Sequence, residues 1–516
     1  MTIADCPLPI SKGYFVKRTV STVLATVLST VLAQPAVAQT GTEGLDAYIS
    51  KAMADWKIPG VGVAIVKGDS VVYLKGFGVR ELGKPDPVTP NTLFAIGSNT
   101  KSFTSASIGM LVDEGKMRWD DKVTRWLPGF QLSDPYVTRE ITIRDILSHR
   151  SGLGRRGDML WLAGHYDRAE VLRRMRFQEL TEPFRTTMGY QNMMVLAAGE
   201  AAGVASGLGW DALVTTRIFQ PLGMTRSTTT TRDLPNRGDD VASPHGTRDS
   251  VVKVIPRRNL DNIAPAGSIY SSAEEMTHYV RFILGGGTYQ GKQLLRPGTL
   301  ATIQTPHVSM PVALGDTLTG STHFVGYGLG WVLQDYKGRK IAWHNGGIDG
   351  YLSEMWTVPE EKLGIIVLTN FDGHQFGPSV VYRILDQYLG GTVRDWSAIN
   401  LKRAEAARAG QAAAAKTREA ARNKDSKPSH ALDAYVGVYA DSMYGEFKVR
   451  LDNGRLTADY GPDNFGGPMD HWQYDTFRAT WRDTQFGQSY VTFGLDRDGK
   501  VSEARVENLA TFKRKS

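Results

Sequence analysis

Apolar residues recur at helical spacing over 44–55, and two nearly continuous apolar runs follow at 60–66 and 70–76. The first stretch predicts an N-terminal helix. The two runs, joined at Lys67-Gly68-Asp69, predict a β-hairpin. After Gly97 a helix-compatible run reaches about Glu114, and a second helix is expected over 141–147. A largely helical stretch extends to about Met224, broken at Pro183 and Gly207. Ser272 and Glu275 predict a capping box on a helix that Gly285-Gly286-Gly287 stops. Strand signals return at Tyr327, and the runs 328–333, 339–344, 351–358 and 363–370 suit an antiparallel meander. A helix at 379–389 closes this unit. Strands at both ends with helices between predict an α/β (α+β) unit: an antiparallel sheet flanked by helices, with an all-helical insert.

The pattern changes after Leu401. Residues 401–429 are rich in Ala, Arg and Lys with almost no large apolar side chain, which predicts a helical spacer. Short alternating runs then appear at 435–439, 446–451, 455–459, 476–479, 489–495, 501–506 and 510–513. Asp452-Asn453-Gly454 and Asp496-Arg497-Asp498-Gly499 are hairpin turns between them. A small antiparallel barrel or sandwich is expected. Its aromatic residues, such as Tyr435, Tyr439, Trp472, Tyr474 and Phe477, suit a barrel core better than a ligand box.

At 516 residues the chain is too long for one core. Its first 38 residues read as a cleavable signal peptide: Lys12, Lys17 and Arg18, then an apolar stretch too short for a comfortable membrane span, then Ala36-Val37-Ala38. The expected location is therefore periplasmic or secreted, with no stable membrane anchor after cleavage. Cys6, the single cysteine, lies inside that leader, so the mature chain would form no disulfide and use no thiolate. The formal net charge is +7, but the leader carries +2 and 402–429 carries +5. The folded units are near neutral, which argues against a nucleic-acid partner.

Candidate chemistry centres on Ser98-Asn99-Thr100-Lys101. A Ser and a Lys three apart on a helix share a face. A Ser hydroxyl needs an adjacent base to act as nucleophile, and a Lys serves if its pKa is lowered. Ser250 and Lys253 repeat the spacing, but their flanks read as a strand, where positions three apart point to opposite faces. Tyr190-Gln191-Asn192 enters a helix and offers a phenol that could act as a phenolate base beside a cationic Lys. It also offers an amide to orient that Lys. His344-Asn345-Gly346-Gly347 ends a strand, where glycines would let a substrate backbone approach. The N–H groups of Ser98 and Gly347 would pair as an oxyanion hole. There is no Gly-x-Ser-x-Gly elbow, no His-Glu-x-x-His and no phosphate-binding loop, and the ten His residues are scattered. No metal and no cofactor are expected.

Together and in this order, the three motifs resemble those of the penicillin-recognising serine hydrolases: class C β-lactamases, D-Ala-D-Ala carboxypeptidases, D-aminopeptidases and family VIII esterases. The resemblance covers roughly residues 45–389 and includes Ile143-Arg144-Asp145-Ile146-Leu147-Ser148-His149 and Pro265-Ala266-Gly267. It implies a β-lactamase/transpeptidase-like domain over 39–400, a linker helix over 401–429 and a lipocalin-like barrel over 430–516. It implies that Ser98 forms an acyl-enzyme, that Lys101 and Tyr190 share base and acid duty, and that Asn192 positions Lys101 and the substrate. His344 would support Tyr190 or touch the substrate, with Asn345, Gly346 and Gly347 beside it. Many penicillin-active members carry Lys where this chain has His344, and a neutral imidazole holds a carboxylate weakly. The expectation is a peptidase acting on small linear peptides with D-residues, linearised microcystin being one such substrate. The alternatives are a carboxylesterase or weak β-lactamase, and a non-catalytic penicillin-binding-type sensor. Homo-oligomers are compatible with the appended barrel.

Overall fold

The computed structural model describes residues 41–248, 251–312, 322–461, 465–483 and 485–515. The expected leader and Ser250 lie outside the described residues. The first described helix is α1 (Leu45–Trp56), followed by the hairpin of β1 (Gly60–Lys67) and β2 (Ser70–Gly78). Gly68 turns it with φ 64°, a left-handed value that glycine adopts without strain.

Three helices form the layer that carries the site: α2 (Thr100–Asp113), α3 (Asn192–Ser206) and α4 (Ala273–Leu284). Six further strands complete the sheet: β3 (Val308–Met310), β4 (Val325–Tyr327), β5 (Val332–Tyr336), β6 (Arg339–Ile348), β7 (Tyr351–Val358) and β8 (Leu363–Thr369). Their order is β2-β1-β8-β7-β6-β5-β4-β3, so the two ends of the segment meet where β1 pairs with β8. All these pairings are antiparallel.

Both faces of the central strands are covered, which is why their sequences read as unbroken apolar runs. Val61, Val63 and Ile65 of β1 pack with Ile365, Val367 and helix α5 (Phe376–Leu389). Ala64, Val66, Ile366 and Leu368 face α2 and α4 through Phe103, Val280 and Phe282. Each fully buried Val, Leu, Ile or Phe side chain among them contributes about 1.5–3 kcal/mol by leaving water. Helix α2 is buried on all sides from Thr100 to Leu111. Its polar residues survive there because they find hydrogen-bond partners: Ser102 donates to Asn99 O (2.7 Å), Ser105 to Ser102 O (3.0 Å) and Thr104 to Pro265 O (2.7 Å), while Thr100 Oγ1 accepts from Ile269 N (3.2 Å).

Two local expectations change. The predicted capping box on α4 is half formed: Ser272 Oγ accepts from Glu275 N, but the Glu275 carboxylate accepts from Arg226 N (2.7 Å) and Ser227 Oγ instead. A reciprocal box does cap the short helix Ile143–Leu147, between Thr142 and Asp145. The strand expected over 328–333 straddles a turn, because Gly330 takes φ 76° and Cβ at that position would stand 2.7 Å from Lys101 O.

After α5, helix α6 (Trp396–Ala420) leads to the second sheet, a closed eight-stranded antiparallel barrel rather than a sandwich. Its strands are β9 (Gly437–Asp441), β10 (Gly445–Asp452), β11 (Arg455–Tyr460), β12 (Gly466–Gln473), β13 (Thr476–Thr480), β14 (Gln488–Leu495), β15 (Val501–Val506) and β16 (Ala510–Arg514). The pair Tyr439 and Arg514 closes it. Tyr435, Tyr439, Phe447, Phe477, Phe493 and Phe512 are buried in it, whereas Tyr474 is exposed. Strand β12 was not expected, since it opens Gly-Gly-Pro.

The barrel is joined to the first unit by specific contacts. Arg174 Nη1 donates to Met443 O (2.9 Å), and Tyr166 Oη donates to Tyr444 O (3.1 Å). Arg258 bridges three partners: Leu162 O (2.9 Å), Asp483 of the barrel (2.8 Å) and Asp349 beyond the end of β6.

Candidate active site

Ser98 sits in a tight turn, Gly97–Asn99, that feeds directly into α2. Gly97 has φ 50°, and Cβ there would lie 2.9 Å from Gly347 N. Gly346 is pressed still closer: Cβ would stand 1.8 Å from Ile96 O. Two glycines on opposite elements thus let the Ser98 turn lie flat on β6. The room at Gly346, expected for substrate, is taken by the protein's own Ile96 carbonyl. Asn99 Nδ2 donates to Ser353 Oγ (2.7 Å) and Ser353 Oγ to Ile96 O (2.7 Å), which ties the turn to β7 as well.

Lys101 is fully buried. Its Nζ lies 2.8 Å from Ser98 Oγ, 2.8 Å from Asn192 Oδ1 and 2.8 Å from Ala266 O. On the other side of the hydroxyl, Tyr190 Oη donates to Ser98 Oγ at 2.8 Å. Burial pushes the Lys101 ammonium well below its ordinary value, and it pushes the Tyr190 phenol up. A phenolate at Tyr190 is therefore disfavoured, contrary to the expectation drawn from a cationic neighbour: the apolar surroundings favour a neutral pair over separated charges. In that neutral state the donors and acceptors balance. Nζ–H groups serve Asn192 and Ala266, the amine lone pair faces the Ser98 hydroxyl, and Tyr190 supplies the last proton.

The segment carrying Tyr190 is fixed by the loop after Leu147. Gly189 N donates to His149 O (2.8 Å), and Gln191 N donates to His149 Nδ1 (3.1 Å). Gln191 also caps α3. His149 pays for this role with a left-handed backbone, φ 57°. Because Gln191 N–H takes Nδ1 as acceptor, the neutral ring carries its proton on Nε2. Nε2 lies 3.2 Å from Tyr327 Oη, and Tyr327 Oη lies 2.9 Å from His344 Nε2. His344 Nδ1 donates to Asn345 O at 2.5 Å. All three rings are buried, which lowers both histidines, His344 to about 3, and raises Tyr327. The sequence does not show this relay: His149 belongs to a segment of the family resemblance, but it and Tyr327 are 178 positions apart and no spacing joins them.

Beyond Trp343 the ladder between β5 and β6 ends, so 344–348 is paired with β7 alone. Gly347, Ile348, Ser98, Asn192, Ala266 and Trp161 line a cavity of about 30 Å3 at the Ser98 hydroxyl. Gly346 is buried beneath Ile96, and Asn345 is exposed outside that lining. Asp158 also has no sequence signal: its Oδ1 accepts from Trp161 Nε1 (2.8 Å) and Asn192 Nδ2 (3.3 Å). Among the described residues no group of His, Cys, Asp or Glu side chains is placed to hold a metal ion.

This fold, with Ser98, Lys101 and Tyr190 brought together, defines a protein of the β-lactamase and penicillin-binding class. Residues 45–389 match the Beta-lactamase family model, and the chain belongs to that family; residues 421–515 match a domain of unknown function, DUF3471. Unguisins hydrolase ungD′ of Aspergillus campestris (strain IBT 28561) is 29% identical over 355 residues, 66% of this chain and 64% of that protein. The chain therefore spans less than two thirds of that relative's length. Penicillin-binding protein 4 of Amycolatopsis lactamdurans is 28% identical over 327 residues, covering 61% of this chain and 81% of that one. The octameric penicillin-binding protein homologue from Pyrococcus abyssi shares the fold across 91% of this chain and 99% of its own, with TM-score 0.60 at 22% identity.

Proposed function

We propose that this chain is an exported serine hydrolase that cleaves amide bonds in small linear peptides beside a D-residue, through an acyl-enzyme on Ser98. The observation that carries this reading is the Ser98 hydroxyl set between Lys101 Nζ and Tyr190 Oη, 2.8 Å from each. Lys101, held as an amine by burial, takes the Ser98 proton as Oγ bonds to the substrate carbonyl carbon. The resulting oxyanion is received by the N–H groups of Ser98 and Gly347. Tyr190 gives its proton to the leaving nitrogen, the C–N bond breaks, and the proton on Lys101 returns to the phenolate. Water then attacks the ester with Lys101 as base, and Ser98 regains its proton as the acid departs.

The neutral His344 supports peptides over penicillins, because it offers no fixed charge for a carboxylate next to the bond cleaved. The apolar lining by Trp161, Ile263, Ala266 and Ile348 supports a small or apolar residue there. Linearised microcystin falls in this substrate class, and the name of the unguisins hydrolase is compatible with a hydrolytic role. Ester hydrolysis is the second reading, since the same machinery acts on a better leaving group.

The deciding experiment compares wild type with Ser98→Ala on D- and L-residue peptides, p-nitrophenyl esters and a chromogenic cephalosporin. D-peptide turnover lost in the variant is expected. Equal turnover by Ser98→Ala removes the nucleophile assignment, and turnover of esters alone replaces the peptidase reading with the esterase one.

A further inference from the structure

Beside the Ser98 site lies a larger cavity, about 540 Å3, formed where the barrel meets the catalytic domain. The turn at 155–159 makes one wall. Tyr444 and the β15–β16 connection make the other. Three arginines, Arg155, Arg156 and Arg505, line it against one carboxylate, Asp158. Asp158 is already engaged by Asn192 and Trp161, and Arg155 Nε stands 3.8 Å from its second oxygen. Among the described residues Arg505 is within ion-pair distance of one carboxylate, Glu503 on its own strand, at 3.5 Å. Arg156 pairs with no carboxylate among the described residues. The cavity thus holds an excess of positive charge.

The arginine turn is built into the site. Gly157 takes φ 84°, and Cβ there would lie 2.6 Å from Met443 Cε of the barrel and 2.8 Å from Met193 Cε of α3. Buried Gln191 donates from Nε2 to Gly154 O (3.2 Å) and Arg156 O (3.1 Å). The residue that follows Tyr190 therefore also pins the backbone of Arg156. The wall between the two cavities is the Asn192–Asp158 contact, with Asn192 lining the nucleophile side and Asp158 the arginine side.

We infer that this cavity is a carboxylate subsite, in which Arg156 of the catalytic domain and Arg505 of the barrel hold an acidic group of the peptide substrate a few residues from the bond cleaved at Ser98. This rests on the peptidase reading above. Guanidinium forks match a carboxylate in geometry and charge, and a partly enclosed site screens the pair less than open water does. It also gives the molecule a place for negative charge that neutral His344 does not provide, and it makes the barrel part of substrate selection.

The test uses the full chain and pairs of D-Ala-containing peptides that differ only in Glu against Gln, or in a free against an amidated C-terminus. In wild type the carboxylate member of at least one pair is expected to lead by about tenfold in kcat/KM, mainly through KM. In the double variant Arg156→Gln, Arg505→Gln that ratio falls to about one, and in Arg156→Glu it inverts. No preference in wild type, or a preference that survives the double variant, overturns the subsite. Calorimetric binding of the same pairs to Ser98→Ala separates the two readings. Carboxylate-dependent binding without wild-type cleavage keeps the subsite and removes the peptidase. Binding that ignores the carboxylate removes the subsite, whatever is cleaved.

Discussion

The hydroxyl of Tyr327 is shared between His344 Nε2 at 2.9 Å and His149 Nε2 at 3.2 Å, so one phenol joins the end of β6 to the loop that holds Tyr190. Removing it in Tyr327→Phe leaves one buried ring acceptor and one buried ring donor unpaired. A loss of about 2–4 kcal/mol is expected, with kcat down about tenfold as Tyr190 loosens. Urea unfolding and steady-state kinetics check this; a variant as stable as wild type would mean that water replaces the hydroxyl.

The pH profile should carry the signature of Lys101. Its ammonium form dominates below its depressed pKa, and the base appears as pH rises through that value, so Lys101 sets the acid limb of kcat/KM. His344, held near 3, adds no limb around neutrality. The Asp158 carboxylate raises Lys101 and the Arg155 guanidinium lowers it. Asp158→Asn should therefore move the acid limb to lower pH and Arg155→Gln to higher pH. Shifts of the same sign in both variants would assign the limb to another group.

Gly346 and Gly347 are neighbours with opposite tolerance. Alanine at 346 drives Cβ into Ile96 O and Ser353 Oγ and displaces the nucleophile turn, so kcat in Gly346→Ala should fall at least about 100-fold. At 347 the nearest atom is Leu352 Cδ2 at 3.2 Å, and the backbone N–H is kept. Gly347→Ala should stay within about 1 kcal/mol of wild-type stability in denaturant titrations.

Glu354 is buried against Gly377 of α5 with Trp356 Nε1 donating to it at 2.8 Å, and burial raises its carboxyl to about 8. The folded state thus keeps a proton that the unfolded chain releases near 4.5. Stability falls as pH rises between those values, by about 3–5 kcal/mol in all. Glu354→Gln should match wild type near pH 5 and melt at higher temperature near pH 9. Parallel melting curves across that range would show the carboxylate solvated.

Contacts set by local backbone geometry and contacts set by the tertiary fold differ in how legible they are in the sequence. Ser98 and Lys101 were legible because helix geometry alone brings positions three apart together. The central strands were legible because burial on both faces leaves unbroken apolar runs. Tyr190 and Asn192 needed the family pattern to join them to Ser98, since nothing local links residues so distant in the chain. His149, Tyr327 and Asp158 act through tertiary contacts with no spacing to betray them. Gly330 and the Gly-Gly-Pro start of β12 misled in opposite directions: one hid a turn inside an apolar run, the other hid a strand behind turn-forming residues.

The apolar cluster that surrounds α2 and α3 runs on through Leu160, Met443 and Tyr444 into the rings of the barrel. A boundary that would normally be a seam between independently melting pieces is therefore continuous interior. Calorimetry should record one endotherm for both parts, with no earlier transition from the barrel. Cutting the chain after Leu401 would strip the cover from apolar side chains of the catalytic layer. Truncated protein should consequently bind a hydrophobic dye and aggregate on warming before its chemistry can be compared with that of the whole.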